Sequence, residues 1–367
     1  MTAYLDHNAT SPLRPQARDA MVAALAECGN PSSPHAAGRA VRARVEAARR
    51  RIAAAFDMPS DAIVFTSGGT EANNLALRGT GAVTVLVSGI EHDSVLEAAP
   101  RAERIPVDGN GVVDLAWLEA RLATGGVGLV SVMLANNETG VIQPVAEITR
   151  LAHREGALVH ADATQAAGRI PVSFTDLDVE LMTISAHKLG GPPGIGALLM
   201  QEGFPLRPLL RGGRQENGLR AGTENAPAIA GFAAAVDAAA APDAGVGVLR
   251  DRLEGLLLAA VPEATIFGRA AERLPNTIAV AMPGVPAETQ VMALDLAGVA
   301  VSAGAACSSG KVRTSPVLAA MGVDAALARQ AIRISLGWNS TADDVARCAD
   351  AWGALWARAA GRARAAA

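Results

Sequence analysis

The sequence is poor in several residue types, and each scarcity excludes something. Among 367 residues there are three cysteines, Cys28, Cys307 and Cys348, and no CxxC pair. That is too few for a disulfide framework, so a reducing compartment is expected and any special thiol must be justified singly. There is no basic excess either: 32 Lys and Arg face 36 Asp and Glu, a net charge of −4. Without one, the electrostatic footprint of a nucleic-acid binder is missing. The longest apolar stretch, residues 226–241, is broken by Asp237 and falls short of the about 18–20 residues that span a bilayer. The opening MTAYLDHNATSPLRP has neither a basic n-region nor an apolar h-region, so no secretory leader is expected. The expectation is a cytoplasmic protein with no membrane and no nucleic acid among its partners. Familiar motifs are missing too. The six histidines include no HExxH, no GxGxxG occurs in the turn after residue 66, and Val312 follows Lys311 where a P-loop needs Ser or Thr. No metal site is expected.

Lysine is the scarcest basic residue. Of the 32 basic residues 30 are arginine, leaving Lys188 and Lys311. A GC-rich genome exchanges Lys for Arg wherever only charge matters. Arginine stays protonated, whereas a desolvated lysine can lose its proton and act as an amine. A surviving lysine is therefore a candidate for amine chemistry.

Half of the residues are hydrophobic and 19% are charged, as in an ordered globular chain of roughly two domains at about 150 residues each. Short apolar runs at Ile63–Phe65, Val83–Val87, Val127–Leu134, Ala157–Asp162 and Leu181–Ser185 read as buried strands. Helical patterns intervene at Val41–Ala55, Thr70–Leu77 and Val145–Glu155. This alternation predicts an α/β domain with a mostly parallel sheet. From about residue 240 the texture changes: a connector over Ala241–Gly247, a helix over Val248–Ala260, short strands at Ile278–Ala281 and Val299–Ser302, and a helical tail. These predict a smaller α+β domain.

Lys188 follows a strand end in Ser185-Ala-His-Lys-Leu-Gly-Gly. An isolated turn lysine is ordinarily just solvated, but the carboxyl ends of strands in open α/β sheets are where ligands bind. Asp162 ends another strand 26 residues earlier, a spacing that suits one strand–helix–strand passage and places both groups at the same end of the sheet. A lysine facing a carboxylate across a heterocycle is what pyridoxal phosphate requires: the amine holds the aldehyde, and the carboxylate keeps the ring nitrogen protonated. Ser67-Gly-Gly-Thr70 offers a helix start for a phosphate, with Thr70 as its cap. His92 follows an apolar strand and is placed near the same cleft, while His153 and His160 read as structural. Cys307 lies in Ser302-Ala-Gly-Ala-Ala-Cys-Ser-Ser-Gly-Lys311, a polar loop in which Lys311 favours the thiolate. Cys28 and Cys348 fall in helical patterns and suggest nothing beyond packing.

Together these segments resemble the cysteine desulfurase family of the class V aminotransferase-like, pyridoxal-phosphate-dependent enzymes. The resemblance runs through Tyr4–Thr10, Asn30–Gly38, Ser67–Asn73, Glu91-His92, Asn136–Gly140, His160–Gln165, Ser185–Lys188, Gly213–Thr223, the Cys307 loop and Arg333–Gly337. It implies a fold-type I homodimer: a large domain over 16–245 with a mostly parallel seven-stranded sheet, and a small domain combining 1–15 with 246–367. It implies that Lys188 carries the cofactor as a Schiff base, that His92 stacks on its ring, and that Asp162 and Gln165 bond the ring nitrogen and phenolic oxygen. Gly69, Thr70, Ser185 and His187 then hold the phosphate with Thr223 of the partner subunit, and Asn137 and Arg333 hold the carboxylate of L-cysteine, a role suited to a guanidinium fork. The implied chemistry moves the substrate sulfur onto Cys307 as a persulfide and leaves L-alanine. The eight residues between Cys307 and Pro316 resemble the longer-loop group associated with iron–sulfur cluster assembly, so a sulfur-acceptor protein is an expected partner. Two other readings remain open: a selenocysteine lyase or related class V lyase or transaminase, and a non-catalytic pyridoxal-phosphate protein.

Overall fold

The structure is a computed structural model that describes residues 2–241, 244–304 and 315–366, with side chains described to residue 361. Its first strand is β1 (Ala3–Tyr4). Seven strands then build one large sheet: β2 (Ile63–Thr66), β3 (Val85–Ser88), β4 (Glu103–Ile105), β5 (Leu129–Met133), β6 (Leu158–Asp162), β7 (Leu181–Ser185) and β8 (Gly196–Met200). Their order is β2-β8-β7-β6-β5-β3-β4, and all run one way except β8, which is antiparallel to both neighbours. Strands β2, β5, β7 and β8 are buried throughout. Helices on both faces explain why they read as continuous apolar runs rather than alternating ones. One face is covered by Ala36–Ala55, Val145–Arg154 and Ala226–Ala239, and the other by Gly69–Gly79. The last of the first group is almost all small apolar residues and lies inside the core. No single helix among the described residues is long and apolar enough to cross a membrane.

The remaining strands are β9 (Thr265–Ile266), β10 (Thr277–Ala281), β11 (Val299–Ala300), β12 (Ser302–Ala303) and β13 (Ala331–Ser335). An antiparallel sheet of order β12-β13-β10-β9 packs against the helices Ala244–Ala260 and Ala342–Ala366. The amino-terminal segment joins this second unit. β1 pairs in parallel with β11, Ala3 and Leu5 lie in the same apolar cluster as Ile278 and Ile334, and Asp6 bridges to Ser335.

Three local expectations are corrected. The helix expected from Val248 starts at Ala244; Val246 reaches the small core, and that burial outweighs the poor helix propensity of its flanking glycines. The single strand expected over Val299–Ser302 is two, because Val299–Ala300 pairs with β1 while Ser302–Ala303 pairs with β13. Cys28 lies outside a helix: the helix before it ends at Leu25, and its thiol is exposed.

The amino-terminal segment passes close under the turn that follows β13. His7 is 1% exposed and its Nδ1 meets Ser11 Oγ at 2.9 Å. A Cβ on Gly337 would stand 1.9 Å from that same nitrogen. Gly337→Ala is therefore expected to cost about 1–3 kcal/mol through overpacking, read as a lower urea midpoint. An unchanged midpoint would mean that the His7 ring moves aside freely.

Candidate active site

Because β2, β3, β5, β6 and β7 run the same way, their carboxyl ends meet at one edge of the sheet. Asp162 is the last residue of β6, and Lys188 follows β7 by a single 3-10 turn, Ala186–Lys188. The two strands are adjacent and parallel, with Asp162 registered against Thr183. Both side chains, together with Gly69, Thr70, His92, Gln165, Ser185 and His187, line one cavity of about 250 Å³.

The Lys188 nitrogen donates to the carbonyls of Asn8 at 2.7 Å and Ala9 at 2.8 Å. Burial, reinforced by the charges of Arg169 and Arg333, lowers its pKa to about 7. Desolvation disfavours an ammonium, and so does a neighbouring cation. Near neutral pH this lysine is thus poised between ammonium and amine.

Asp162 is 6% exposed and held from two sides. Asn73 Nδ2 donates to Oδ2 at 2.8 Å, and the Thr164 backbone N–H donates to Oδ1 at 2.9 Å. Asn73 also donates to Ser94 Oγ at 2.9 Å, and that hydroxyl meets His92 Nδ1 at 2.8 Å. A single polar chain thereby fixes the carboxylate and the imidazole relative to one another. Beneath them, buried Glu91 accepts hydrogen bonds from Ser88 Oγ and from the Met133 backbone N–H. Burial pushes its carboxyl up to about 8, so it holds a proton at neutral pH.

The helix Gly69–Gly79 presents its amino end to the cavity. Its N-cap is Gly68 rather than Thr70, with no side-chain cap bond, and Thr70 stands inside the first turn. The expectation that Thr70 caps the helix is thereby corrected. The physical reason is a close approach: a Cβ on Gly196 would stand 2.7 Å from the Gly68 carbonyl carbon, and Gly68 itself has φ 156°. The first N–H groups of the helix are left without a side-chain partner, which favours an anion. His187 stands nearby, its Nδ1 3.2 Å from Thr10 Oγ1. Burial, with Lys188 and Arg169 beside it, lowers its pKa to about 4, so it is neutral at physiological pH.

Arg333 lies in the middle of β13, 5% exposed. One guanidinium nitrogen donates to Asp6 Oδ1 at 2.8 Å, another donates to the Asn137 carbonyl at 3.1 Å, and its Nε is buried without a partner. Asn137 therefore meets Arg333 through its main chain. Neither residue lines the Lys188 cavity, but the charge of Arg333 reaches Lys188. Thr223 is exposed on the segment preceding the helix Ala226–Ala239 and is not brought to the cavity within this chain. Cys307 and Lys311 lie outside the described residues. Cys348 is fully buried in the carboxyl-terminal helix, its thiol pushed up to about 12.

Several contributing residues carried no role in the sequence reading: Asp6, Asn8, Asn73, Ser94, Thr164 and Arg169. For Asn73 a signal existed, since it falls four residues after Gly69 on the helix face that meets the sheet. For Asp6 and Asn8 none did, because their contacts reach residues about 130 to 330 positions away in the chain.

A family profile described as aminotransferase class-V matches residues 3–348. Among curated relatives, a cysteine desulfurase of Cereibacter sphaeroides is 46% identical over 360 residues, covering 94% of this chain and 93% of its own length. The cysteine desulfurase IscS of Dictyoglomus turgidum is 41% identical, with 93% and 91% covered. Among solved structures, a NifS-like protein from Rickettsia africae superposes with a TM-score of 0.90 at 34% identity, over 97% of this chain and 99% of that one.

Proposed function

The chain belongs to the aminotransferase class-V family and is a cysteine desulfurase by kind, and from that premise we propose that it converts L-cysteine to L-alanine with pyridoxal phosphate held around Lys188 and the sulfur received by Cys307. One observation carries the reading: an amine, a carboxylate and an uncapped helix amino end line the same cavity at the carboxyl edge of the sheet. Those groups suit the aldehyde, ring nitrogen and phosphate of that cofactor. Thr164 Oγ1, which lines the cavity, is buried without a partner and offers one further hydrogen bond to a bound group.

In this reading Lys188 holds the aldehyde carbon, Asp162 the ring nitrogen, Gln165 the phenolic oxygen and His92 the ring face. Gly69, Thr70, Ser185 and His187 hold the phosphate, with Thr223 of a partner subunit in a homodimer. When bound, the cofactor supplies an electron-withdrawing ring conjugated to the substrate amine. The chain's own residues do the rest. Arg333, fixed by Asp6, binds the substrate carboxylate beside Asn137. The Lys188 amine takes and returns the proton at the substrate α-carbon. The Cys307 thiolate attacks the substrate sulfur, so that an S–S bond forms as the carbon–sulfur bond breaks. The electron pair of the broken bond stays with the carbon, which takes a proton on the way to alanine.

The small unit, 1–15 with 246–367, brings Arg333 to the large one, a division supported by the shared cluster of Ala3, Leu5, Ile278 and Ile334. The eight residues between Cys307 and Pro316 support an acceptor protein in iron–sulfur cluster assembly, and three cysteines without a CxxC pair support a reducing, cytoplasmic setting. The test is alanine and sulfide release from L-cysteine by the cofactor-loaded protein with a thiol reductant. Equal amounts of both are expected. A protein that takes up the cofactor and yields neither product would overturn the reading.

A further inference from the structure

One guanidinium in this structure touches three parts of the site at once and has no acid partner. Arg169 Nη1 donates to the Gln165 carbonyl at 2.9 Å and also to Gln165 Oε1. Its Nη2 donates to the carbonyls of His7 and Lys188, each at 3.2 Å. Every acceptor is neutral, and among the described residues Arg169 forms no ion pair. A charge held only by carbonyls keeps its field, because no carboxylate cancels it.

The residues it ties are those that shape the cavity. Gln165, besides accepting from Arg169, donates through Nε2 to the Asn8 carbonyl at 3.1 Å. That same carbonyl receives the Lys188 nitrogen. The amino-terminal segment, the turn after β6 and the turn after β7 are thus joined around one guanidinium. Arg169 also lines a second cavity of about 160 Å³, shared with Lys188, Arg14 and His7.

We infer that Arg169 is a positioning residue for the desulfurase reaction: it aims Gln165 and sets a fixed positive charge beside the Lys188 nitrogen. The inference rests on the function proposed above. The charged groups facing Lys188 are Arg169 from the segment after β6, Arg333 from β13, Asp6 from the amino-terminal segment and Asp162 at the end of β6. Adjacent His187 is neutral. Asp6 is already committed to Arg333, and Asp162 to Asn73 and Thr164. Arg169 is the cation without such a partner, so its removal shifts the balance at Lys188 toward the protonated form.

The test uses the holoenzyme and two variants, Arg169→Gln, which keeps hydrogen bonding without charge, and Arg169→Lys, which keeps charge without the fork. The readout is the pH titration of the bound cofactor's absorption spectrum, beside kcat, KM and Tm. Arg169→Gln is expected to raise the spectral midpoint by about one pH unit or more, the size of effect a nearby charge exerts, and to lower kcat at least about tenfold with KM little changed. Arg169→Lys is expected to return the midpoint to near the parent value while leaving kcat reduced, because Gln165 is no longer gripped. A midpoint unmoved in a folded, cofactor-loaded Arg169→Gln variant would overturn the inference. If that variant does not fold, a parent-like kcat in Arg169→Lys would overturn it instead. The spectral titration needs no turnover, so a parent that binds cofactor but releases no alanine would sink the desulfurase reading and leave this comparison decisive for Arg169.

Discussion

Lys188→Ala is expected to abolish alanine formation, a loss of at least about 10³-fold, within the range for removing a positioned proton-transfer group. Lys188→Arg is expected to fail equally, although it keeps a cation of similar length. Arginine cannot shed its proton in a protein and cannot bond covalently to an aldehyde carbon under these conditions. The structure gives the physical reason that lysine succeeds. Burial, with Arg169 and Arg333 in its field, lowers the Lys188 pKa to about 7, so a large share of the amine is unprotonated at physiological pH. The sign follows directly: with an ordinary lysine value, little free base would exist there. Borohydride reduction separates this role from a structural one. The parent is expected to retain the cofactor irreversibly after reduction and the alanine variant to release it on denaturation. An alanine variant keeping more than a tenth of the parent rate would show that another group moves the proton.

The fold and the site differ in how far the linear sequence exposes them. Five strands of the large sheet were legible as apolar runs, and Leu181–Ser185 stands where its composition placed it. By contrast β4, Glu-Arg-Ile with two exposed residues, carries no such run, and β8 was not read as a strand. Lys188 and Asp162 stood out because a scarce amine and a carboxylate each end such a run. The contacts that hold them were not legible. Asp6 fixes Arg333 across 327 residues, and Asn8 receives both Lys188 and Gln165 through its carbonyl. Backbone acceptors carry no side-chain signature, so no residue type announces them. Arg169 was hidden differently, being one arginine among 30. What sets it apart in three dimensions is that one guanidinium meets the carbonyls of His7, Gln165 and Lys188 together. The helix start at Gly68–Thr70 was misjudged for a related reason, because Thr at that position looks like a cap. The packing of Gly196 against Gly68 shifts the cap by two residues and leaves the N–H groups free for a ligand.

Cys307→Ala is expected to lower both sulfide and alanine release from L-cysteine at least about 10²-fold while leaving cofactor binding intact, since the nucleophile is removed and every residue proposed to hold the cofactor is kept. The two products should fall together, because in the proposed chemistry the carbon–sulfur bond breaks only as the S–S bond forms. Cys307, outside the described residues, is singled out by its polar Ser-Ser-Gly-Lys context and by the state of the other two thiols. Cys348 is fully buried with its thiol pushed up to about 12, so it supplies almost no thiolate at neutral pH. Cys28 is exposed and follows the helix Pro15–Leu25, and it does not line the Lys188 cavity. It is nonetheless accessible to sulfur-labelling reagents, and a Cys28→Ser background removes that signal. In that background, trapping with an alkylating reagent after L-cysteine is expected to place the extra sulfur on Cys307 alone. Selenocysteine sharpens the comparison, because a weaker carbon–selenium bond needs less help from an enzyme thiol. Retained selenide release in Cys307→Ala, beside lost sulfide release, would assign the thiol to sulfur abstraction specifically. Undiminished sulfide release in the same variant would mean that the substrate sulfur leaves without a protein nucleophile, and the chain would then be a lyase built on the same cavity.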